Sequence, residues 1–233
     1  MSFSYKTNTP FVIGVKDCVP TLLGYLSIGL AAGVVQKTAG LSIAEITLLS
    51  LILYAGSAQF VIAGMLATTT SISAIVLTVF FINLRHILLS ASLAPYFRKV
   101  SIVRNMLIGA LLTDETFGVA INKATKTTSL NEQWMHGLNL TAYLNWVVAN
   151  IAGALMAQWI TNPAELGLEF ALPAMFIGIL VLAISSRRKI RKDIIVATIA
   201  GLIAVYASVY ISSSTGIIIA TLVAATIGMV LKK

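Results

Sequence analysis

Charged side chains are scarce in this chain of 233 residues, where Asp, Glu, Lys and Arg together make up 10% and hydrophobic residues 58%. A soluble domain carries about 25% charged residues, because it needs polar groups to cover its surface. The scarcity therefore excludes a water-soluble enzyme or nucleic-acid-binding domain and indicates an integral membrane protein in a lipid bilayer. The net charge of +8 is explained by basic cytoplasmic loops, so nucleic acid is not expected as a partner.

Cysteines and enzyme motifs are lacking as well. Cys18 is the single cysteine, which excludes an intrachain disulfide and a cysteine-based metal site. GxSxG, HExxH, a Cys/His metal spacing and a phosphate-binding glycine loop are all absent from the sequence, so we expect neither an enzyme nor a bound cofactor or metal. One enzymatic alternative stays open, an intramembrane serine hydrolase built on Ser57 and His86, because such residues need only be adjacent in space.

What the sequence does have is long apolar stretches without the polar–apolar alternation of a β-barrel. Lipid forces backbone groups to hydrogen-bond within each segment. We therefore predict an all-α, polytopic helical membrane protein with seven or eight transmembrane segments, some broken or re-entrant, forming a single transmembrane transporter domain over residues 1–233. The stretches are 18–36, 45–65, 72–94, 105–122, 138–160, 172–186, 194–212 and 216–231.

The basic residues between the stretches support two topologies. If all eight stretches span, the basic run at 187–192 and most other loop cations fall on the side of the N-terminus, which the positive-inside rule places in the cytoplasm. The basic residues at 98–104 then fall on the opposite side. A seven-span alternative makes 105–122 re-entrant and moves the N-terminus outside. Eight spans is the preferred prediction.

Four ionisable residues lie inside the apolar stretches. Arg85 and His86 occupy the middle of the third stretch, where an arginine costs at least about 2.5 kcal/mol and its side chain cannot reach water. Asp114 and Glu115 lie in the fourth stretch and offer it a counter-charge; neighbours on a helix point about 100° apart, so one can pair with Arg85 while the other faces a cavity. Two readings stay open and are compatible: a structural ion pair, or a transport pathway with proton coupling. For His86 a satisfied structural hydrogen bond is as good a reading as a proton carrier.

The second stretch predicts a break in its helix. Small residues around Gly56, flanked by Tyr54 and Gln59, suit a discontinuous transporter helix that offers backbone groups to a ligand. Ordinary small-residue packing is the equal alternative. In the same way, the GxxxG pattern at 29–33 predicts a close helix contact, within the protein or with a partner. The fifth stretch carries a polar face for which interhelical hydrogen bonds are expected: Asn139, Thr141, Tyr143, Asn145, Trp146 and Asn150.

Four motifs of the sequence resemble the AzlC family, the large subunit of bacterial branched-chain amino-acid exporters. They are Tyr-Ala-Gly-Ser-Ala-Gln-Phe at 54–60, Asn-Leu-Arg-His at 83–86, Thr-Asp-Glu at 113–115 and Gly-Leu-Glu-Phe-Ala-Leu-Pro-Ala-Met-Phe at 167–176. The resemblance implies proton-driven export of valine, leucine, isoleucine or analogues through the cell inner (plasma) membrane, together with a small AzlD-type membrane subunit. In the last motif Glu169 stands where the family has Asp, and it keeps the charge.

A zwitterionic aliphatic amino acid needs a cation or helix N-terminus, a carboxylate or carbonyls, and an apolar pocket. On this basis the hypothesis gives substrate binding to one set of residues and proton coupling to another. The substrate-binding set is Tyr54, Gly56, Ser57, Gln59, Phe60, Asn83 and Arg85, and the coupling set is Asp114, followed by Glu115 and His86. A passive channel or facilitator for small polar solutes, lined by the same residues, is the nearest alternative.

Overall fold

A computed structural model of the protein describes residues 9–68, 70–160 and 190–210, with scattered positions between 165 and 181 and between 219 and 230. The described residues form helices and contain no strand, which confirms the prediction of a helical membrane protein. The chain divides into two compact units, Met1–Met175 and Phe176–Lys233.

Seven α-helices can be followed in the described part of the first unit. They are α1 (Pro10–Thr38), α2 (Ile43–Leu48), α3 (Gly56–Ala67), α4 (Ile72–Leu93), α5 (Ile102–Ala110), α6 (Asp114–Ala124) and α7 (Glu132–Met156). A π-helical segment, Leu49–Leu53, prolongs α2, and 3-10 turns, Ala94–Phe97 and Ala157–Trp159, prolong α4 and α7. Three of these helices are long and apolar enough to cross a membrane: α1, α4 with its turn and α7 with its turn.

The starts of the helices follow from local sequence. Pro10 opens α1, where its missing N–H costs nothing. Ser42 caps α2 in a box with Glu45, Thr113 caps α6, and the Asn131 side chain accepts from the backbone N–H of the third residue of α7. Side-chain oxygens at these positions satisfy N–H groups that have no partner inside the helix.

Helices α1 and α7 pack against each other in the same direction. A Cβ atom added to Gly14 would collide with the carbonyl of Trp134, and one added to Gly33 would collide with the carbonyl of Asn150. The early residues of α1 thus face the early residues of α7, and the late residues face the late ones. The GxxxG pattern at 29–33 is therefore a close contact within the protein, where only glycine lets the two backbones approach.

The fourth apolar stretch turns back in the middle of the protein. At the start of α5, Arg104 lies 3.4 Å from Glu132 at the start of α7. At the end of α6, Lys123 lies 3.0 Å from Asp17 near the start of α1. Both ends of α5–α6 thus lie on one side, which we name side A, where α1 and α7 begin. We name residues 102–124 the second hairpin.

The second apolar stretch turns back as well, from the opposite side. Gln59 donates a hydrogen bond of 3.0 Å to Ser50, although nine residues of unbroken helix would separate them by about 13 Å. Ile46 packs with Ala154 near the end of α7, so the arms return toward side B, where α1 and α7 end. Tyr54 makes the turn in the left-handed region, with φ at 44°. We name residues 43–67 the first hairpin.

This arrangement differs from the eight-span prediction. The re-entrant reading that the seven-span alternative gave to the fourth stretch holds, and it extends to the second. The arms α3, α5 and α6 have 12, 9 and 11 residues, which reach only about 14–18 Å of a hydrocarbon core about 30 Å thick. Hydropathy does not distinguish such a hairpin from a span, because both are surrounded by apolar groups.

The two hairpins also remove the conflict in the distribution of charge. Since α4 runs from side B to side A, the basic residues at 98–104 join the others on side A. Between residues 9 and 160, side A holds Lys16, Arg98, Lys99, Arg104, Lys123 and Lys126, and side B holds Lys37.

The second unit is described mainly through one helix, α8 (Ile190–Tyr210), which coincides with most of the seventh predicted stretch. Its segment Ile194–Ala207 is a short apolar helix. The basic residues 187–189, the motif residue Glu169 and much of the sixth and eighth stretches lie outside the described residues.

Candidate functional site

A small pocket lies where the tips of the two hairpins meet α1, α4 and α7. Its volume is about 20 Å³, which is room for about one water molecule. It is lined by Tyr25, Tyr54, Ala55, Gly56, Ser57, Arg85, His86, Thr113, Asp114, Glu115 and Trp146. The lining is thus charged on the side of α4 and the second hairpin, and aromatic toward α1 and α7.

Arg85 joins the two hairpin tips. Its Nη1 lies 2.7 Å from Asp114 Oδ2, at the start of α6. Its Nη2 donates a hydrogen bond of 2.7 Å to Ser57 Oγ, at the start of α3. The planar guanidinium can hold two acceptors at once in fixed directions. Of the two carboxylates that the sequence offers, Arg85 pairs with Asp114 in this structure.

Glu115 has a different environment from Asp114, although the two are adjacent. Its Oε2 accepts a hydrogen bond of 2.9 Å from the hydroxyl of Tyr25, and it makes no ion pair within the part of the chain that the structure describes. The Tyr25 hydroxyl also bonds the hydroxyl of Thr113, the cap of α6. One carboxylate thus faces a cation and the other a phenol.

The N-termini of α3 and α6 both point at the pocket. A helix N-terminus carries unbonded N–H groups and a partial positive charge, which favour an anion. At α6 the side chains of Thr113 and Thr116 cap these groups. At α3 the capping position holds Ala55, which has no side-chain hydrogen bond to offer. The first hairpin therefore presents backbone donors suited to a carboxylate.

Trp146 of α7 forms an aromatic wall of the pocket. Its Nε1 donates a hydrogen bond of 2.7 Å to Gln59 Oε1, and its ring meets Tyr25 edge to face at 5.5 Å. Gln59 in turn lies 3.5 Å from Gln36 Oε1, which continues a buried chain of amides through Gln36 to Asn150 at 2.9 Å.

The structure brings together seven of the ten residues predicted for the site: Tyr54, Gly56, Ser57, Arg85, His86, Asp114 and Glu115. The other three lie outside the pocket lining. Gln59 is fully buried behind Trp146, and Phe60 belongs to the hydrophobic core. The Oδ1 of Asn83 is buried and has no hydrogen-bond partner among the residues that the structure describes. The predicted break before Gly56 is confirmed, since α3 begins there.

His86 and Ser57 both have partners that differ from the catalytic pair of a serine hydrolase. The Nδ1 of His86 lies 3.0 Å from the carbonyl oxygen of Leu112, so this nitrogen carries the proton. Ser57 receives its hydrogen bond from Arg85. Among the described residues, no group of three His, Cys, Asp and Glu side chains could hold a metal ion.

Tyr25, Thr113 and Trp146 were not predicted as site residues. Thr113 belongs to the Thr-Asp-Glu motif at 113–115, and Trp146 lies on the polar face of the fifth stretch, where interhelical hydrogen bonds are expected. That expectation is confirmed for Asn139, Tyr143, Asn145, Trp146 and Asn150, which bond to other helical segments. Tyr25 carried no signal, because a single tyrosine in an apolar helix is common.

An intramembrane ion pair and two helix N-termini at re-entrant hairpins are features that many membrane transport proteins share. Residues 20–160 match the AzlC protein family, and the chain belongs to this family.

Three relatives illustrate the range of the family. The inner membrane protein YgaZ of Escherichia coli is 31% identical over 78% of this chain and 77% of its own. An uncharacterized membrane protein of Archaeoglobus fulgidus is 30% identical over 76% of this chain and 78% of its own. The branched-chain amino acid transport protein AzlC of Bacillus subtilis is 27% identical over 70% of this chain and 63% of its own. No solved structure matches the chain significantly. The family match and the transport protein among the relatives support a role in membrane transport.

Proposed function

We propose that this protein exports branched-chain amino acids, valine, leucine, isoleucine or analogues, across the cell inner (plasma) membrane in exchange for protons. A small AzlD-type membrane subunit works with it. The observation that carries the proposal is the bridge of Arg85 between the two hairpin tips. The similarity to the branched-chain amino acid transport protein AzlC of Bacillus subtilis supports the choice of substrate.

The distribution of basic residues supports an orientation. Side A holds six of the seven Lys and Arg residues that lie at helix ends or in loops between residues 9 and 160, and side B holds Lys37. By the positive-inside rule, side A is the cytoplasmic side. The second hairpin then enters from the cytoplasm, and the first hairpin enters from outside.

The pocket has a partner for each part of a branched-chain amino acid. The substrate carboxylate binds Arg85 and the N–H groups at the start of α3, since both favour an anion. The ammonium group lies against Asp114 and Glu115. The aliphatic side chain lies against the aromatic rings of Tyr54 and Trp146, which exclude water.

The closed pocket of about 20 Å³ holds about one water, so a hairpin tip must move to admit an amino acid. The substrate carboxylate competes with Asp114 and Ser57 for Arg85. When it displaces either of them, the hairpin tip that carries the displaced residue is released. The ammonium group and a proton then compete for the Asp114 carboxylate. Exchange follows, because protonation from outside removes the partner of the ammonium group and releases the substrate.

Transport by purified protein in liposomes tests this proposal, with the small subunit present and absent. The wild type is expected to accumulate leucine against its gradient when a pH gradient is imposed, which a passive facilitator cannot do. Asp114→Asn is expected to abolish uphill transport. Glu115→Gln is measured beside it, because Glu115 is the next candidate for proton coupling. Uphill transport by Asp114→Asn with the proton dependence of the wild type would remove Asp114 from the coupling role.

The substrate is tested in cells poisoned by valine or by a leucine analogue. Expression of this chain with the small subunit is expected to restore growth. If neither the cells nor the liposomes show movement of any branched-chain amino acid, the proposed substrate class is wrong.

A further inference from the structure

We propose that Trp146 determines which amino-acid side chains the pocket accepts, by setting the upper limit of their size. The inference rests on the proposed function and names the residue that gives the site its selectivity for short aliphatic side chains. It starts from the division of the lining into a charged part, around Arg85 and Asp114, and an aromatic part, around Trp146.

Trp146 is a fixed wall, because it is held on several sides. Only 4% of the residue is exposed. Its Nε1–H is bound to Gln59, and its ring is flanked by Tyr25 at 5.5 Å. On the side of α1, a Cβ placed on Gly29 would lie 3.5 Å from the Cε3 of the indole. Since α1 and α7 also touch through their backbones, the indole has no space into which it could retreat.

The tip of the first hairpin faces the opposite edge of the same ring. A Cβ placed on Gly56 would lie 2.8 Å from Cη2 of Trp146, a distance that real Cβ atoms essentially never show, and 3.0 Å from its Cζ2. The glycine at the start of α3 thus comes as close to the indole as a residue can. Movement of this tip opens a gap whose depth is limited by the indole.

A side chain in this gap gains from contact with the indole until it fills the space. Valine, leucine and isoleucine differ by one methylene or by branching, and such a difference changes specificity about 10- to 200-fold in a close-fitting apolar pocket. Phenylalanine needs the space that the six-membered ring of Trp146 occupies beside Gly56. The structure thus assigns discrimination against large side chains to position 146 and not to the charged residues.

Counterflow in liposomes measures this discrimination. Exchange of labelled leucine is competed by valine, methionine and phenylalanine, for the wild type and for Trp146→Phe and Trp146→Leu. Both variants are expected to shift the ratio of phenylalanine to leucine uptake at least about tenfold toward phenylalanine. The matched control is Trp159→Phe, because Trp159 is 75% exposed at the end of α7, and it should keep the ratio of the wild type.

A second variant approaches the same contact from the other side. Gly56→Ala adds a methyl group against the indole, so it is expected to lower leucine uptake relative to alanine uptake about tenfold. The double variant Gly56→Ala with Trp146→Phe is expected to restore much of that loss. The comparison of Gly56→Ala with the double variant tests the role of Trp146 even if Trp146→Leu does not fold.

The outcomes separate the inference from the function on which it rests. Unchanged ratios in Trp146→Phe, or a Gly56→Ala defect that Trp146→Phe does not relieve, would overturn the role of Trp146 while the wild type still transports leucine. A wild type that exchanges no branched-chain amino acid would instead overturn the proposed function, and with it this inference.

Discussion

The two hairpins reach the same pocket but are held in place by different chemistry. The first hairpin is fixed by neutral amides that are fully buried, among them Gln59, Gln36 and Asn150. The second hairpin has one buried amide contact, the hydrogen bond of 3.0 Å from Asn139 to the carbonyl of Ile108. At its base it is held by ion pairs that touch water, since the side chains of Lys123 and Asp17 are 38% and 39% exposed. Exposed pairs contribute about 0–1 kcal/mol each, whereas a stranded buried polar group costs about 1–3 kcal/mol.

The difference teaches which hairpin opens more easily. A network of buried amides favours one arrangement, because every displaced donor or acceptor loses its partner away from water. Exposed ion pairs exchange their partners for water at little cost. We therefore expect the second hairpin to open first from the closed state, and the tip of the first hairpin to move away from Trp146 only at a higher cost.

Arg85→Gln is expected to have the largest effect, because it removes a bridge between the two hairpins and the ion pair between Arg85 and Asp114. Loss of the charged contact between Arg85 and the substrate carboxylate costs about 3 kcal/mol, or roughly 100-fold in substrate affinity. Equilibrium binding of leucine to the purified protein measures it. Arg104→Gln is the matched control, since Arg104 pairs with Glu132 but is 65% exposed. Leucine affinity unchanged in Arg85→Gln would separate Arg85 from the site.

Gln59→Leu is expected to have an intermediate effect, centred on the first hairpin. The substitution leaves Trp146 Nε1 without its acceptor and Ser50 without its donor, which lowers the free energy of unfolding by about 2 kcal/mol. Thermal unfolding in detergent measures the loss. Gln133→Leu, on the exposed part of α7, is the comparison; equal stability of the two variants would contradict the role of the amide network.

Asp17→Asn is expected to have the smallest effect and to act on the second hairpin alone. The amide oxygen can still accept the hydrogen bond from Trp134 Nε1, but the attraction to Lys123 is lost, at a cost below about 1 kcal/mol. The rate of backbone amide hydrogen exchange should rise a few-fold in α6 and stay the same in α3. Equal acceleration in both helices would show that the hairpins open together, and not separately.

The sequence predicts the pocket better than it predicts the path of the chain. Arg85, Asp114 and Glu115 stand out because charge in an apolar stretch is costly, and the break before Gly56 follows from its small residues. The first hairpin is hidden, because residues 45–65 are as apolar as a span, whereas the acidic residues within 105–122 allow the re-entrant alternative. The close approach of Arg85 to Ser57 depends on the turn at Tyr54 in the first hairpin. Spacing along the chain could not reveal this contact.

The directions of the helices have a consequence for how the pocket can be reached. Helix α1 runs from side A to side B and is followed by a hairpin that enters from side B. Helix α4 runs from side B to side A and is followed by a hairpin that enters from side A. The first unit thus contains the same helix-and-hairpin element twice, with opposite orientation in the membrane, although no internal repeat is visible in the sequence. A movement that uncovers the pocket through one element has an inverted counterpart in the other, so one kind of movement is expected to serve both faces of the membrane.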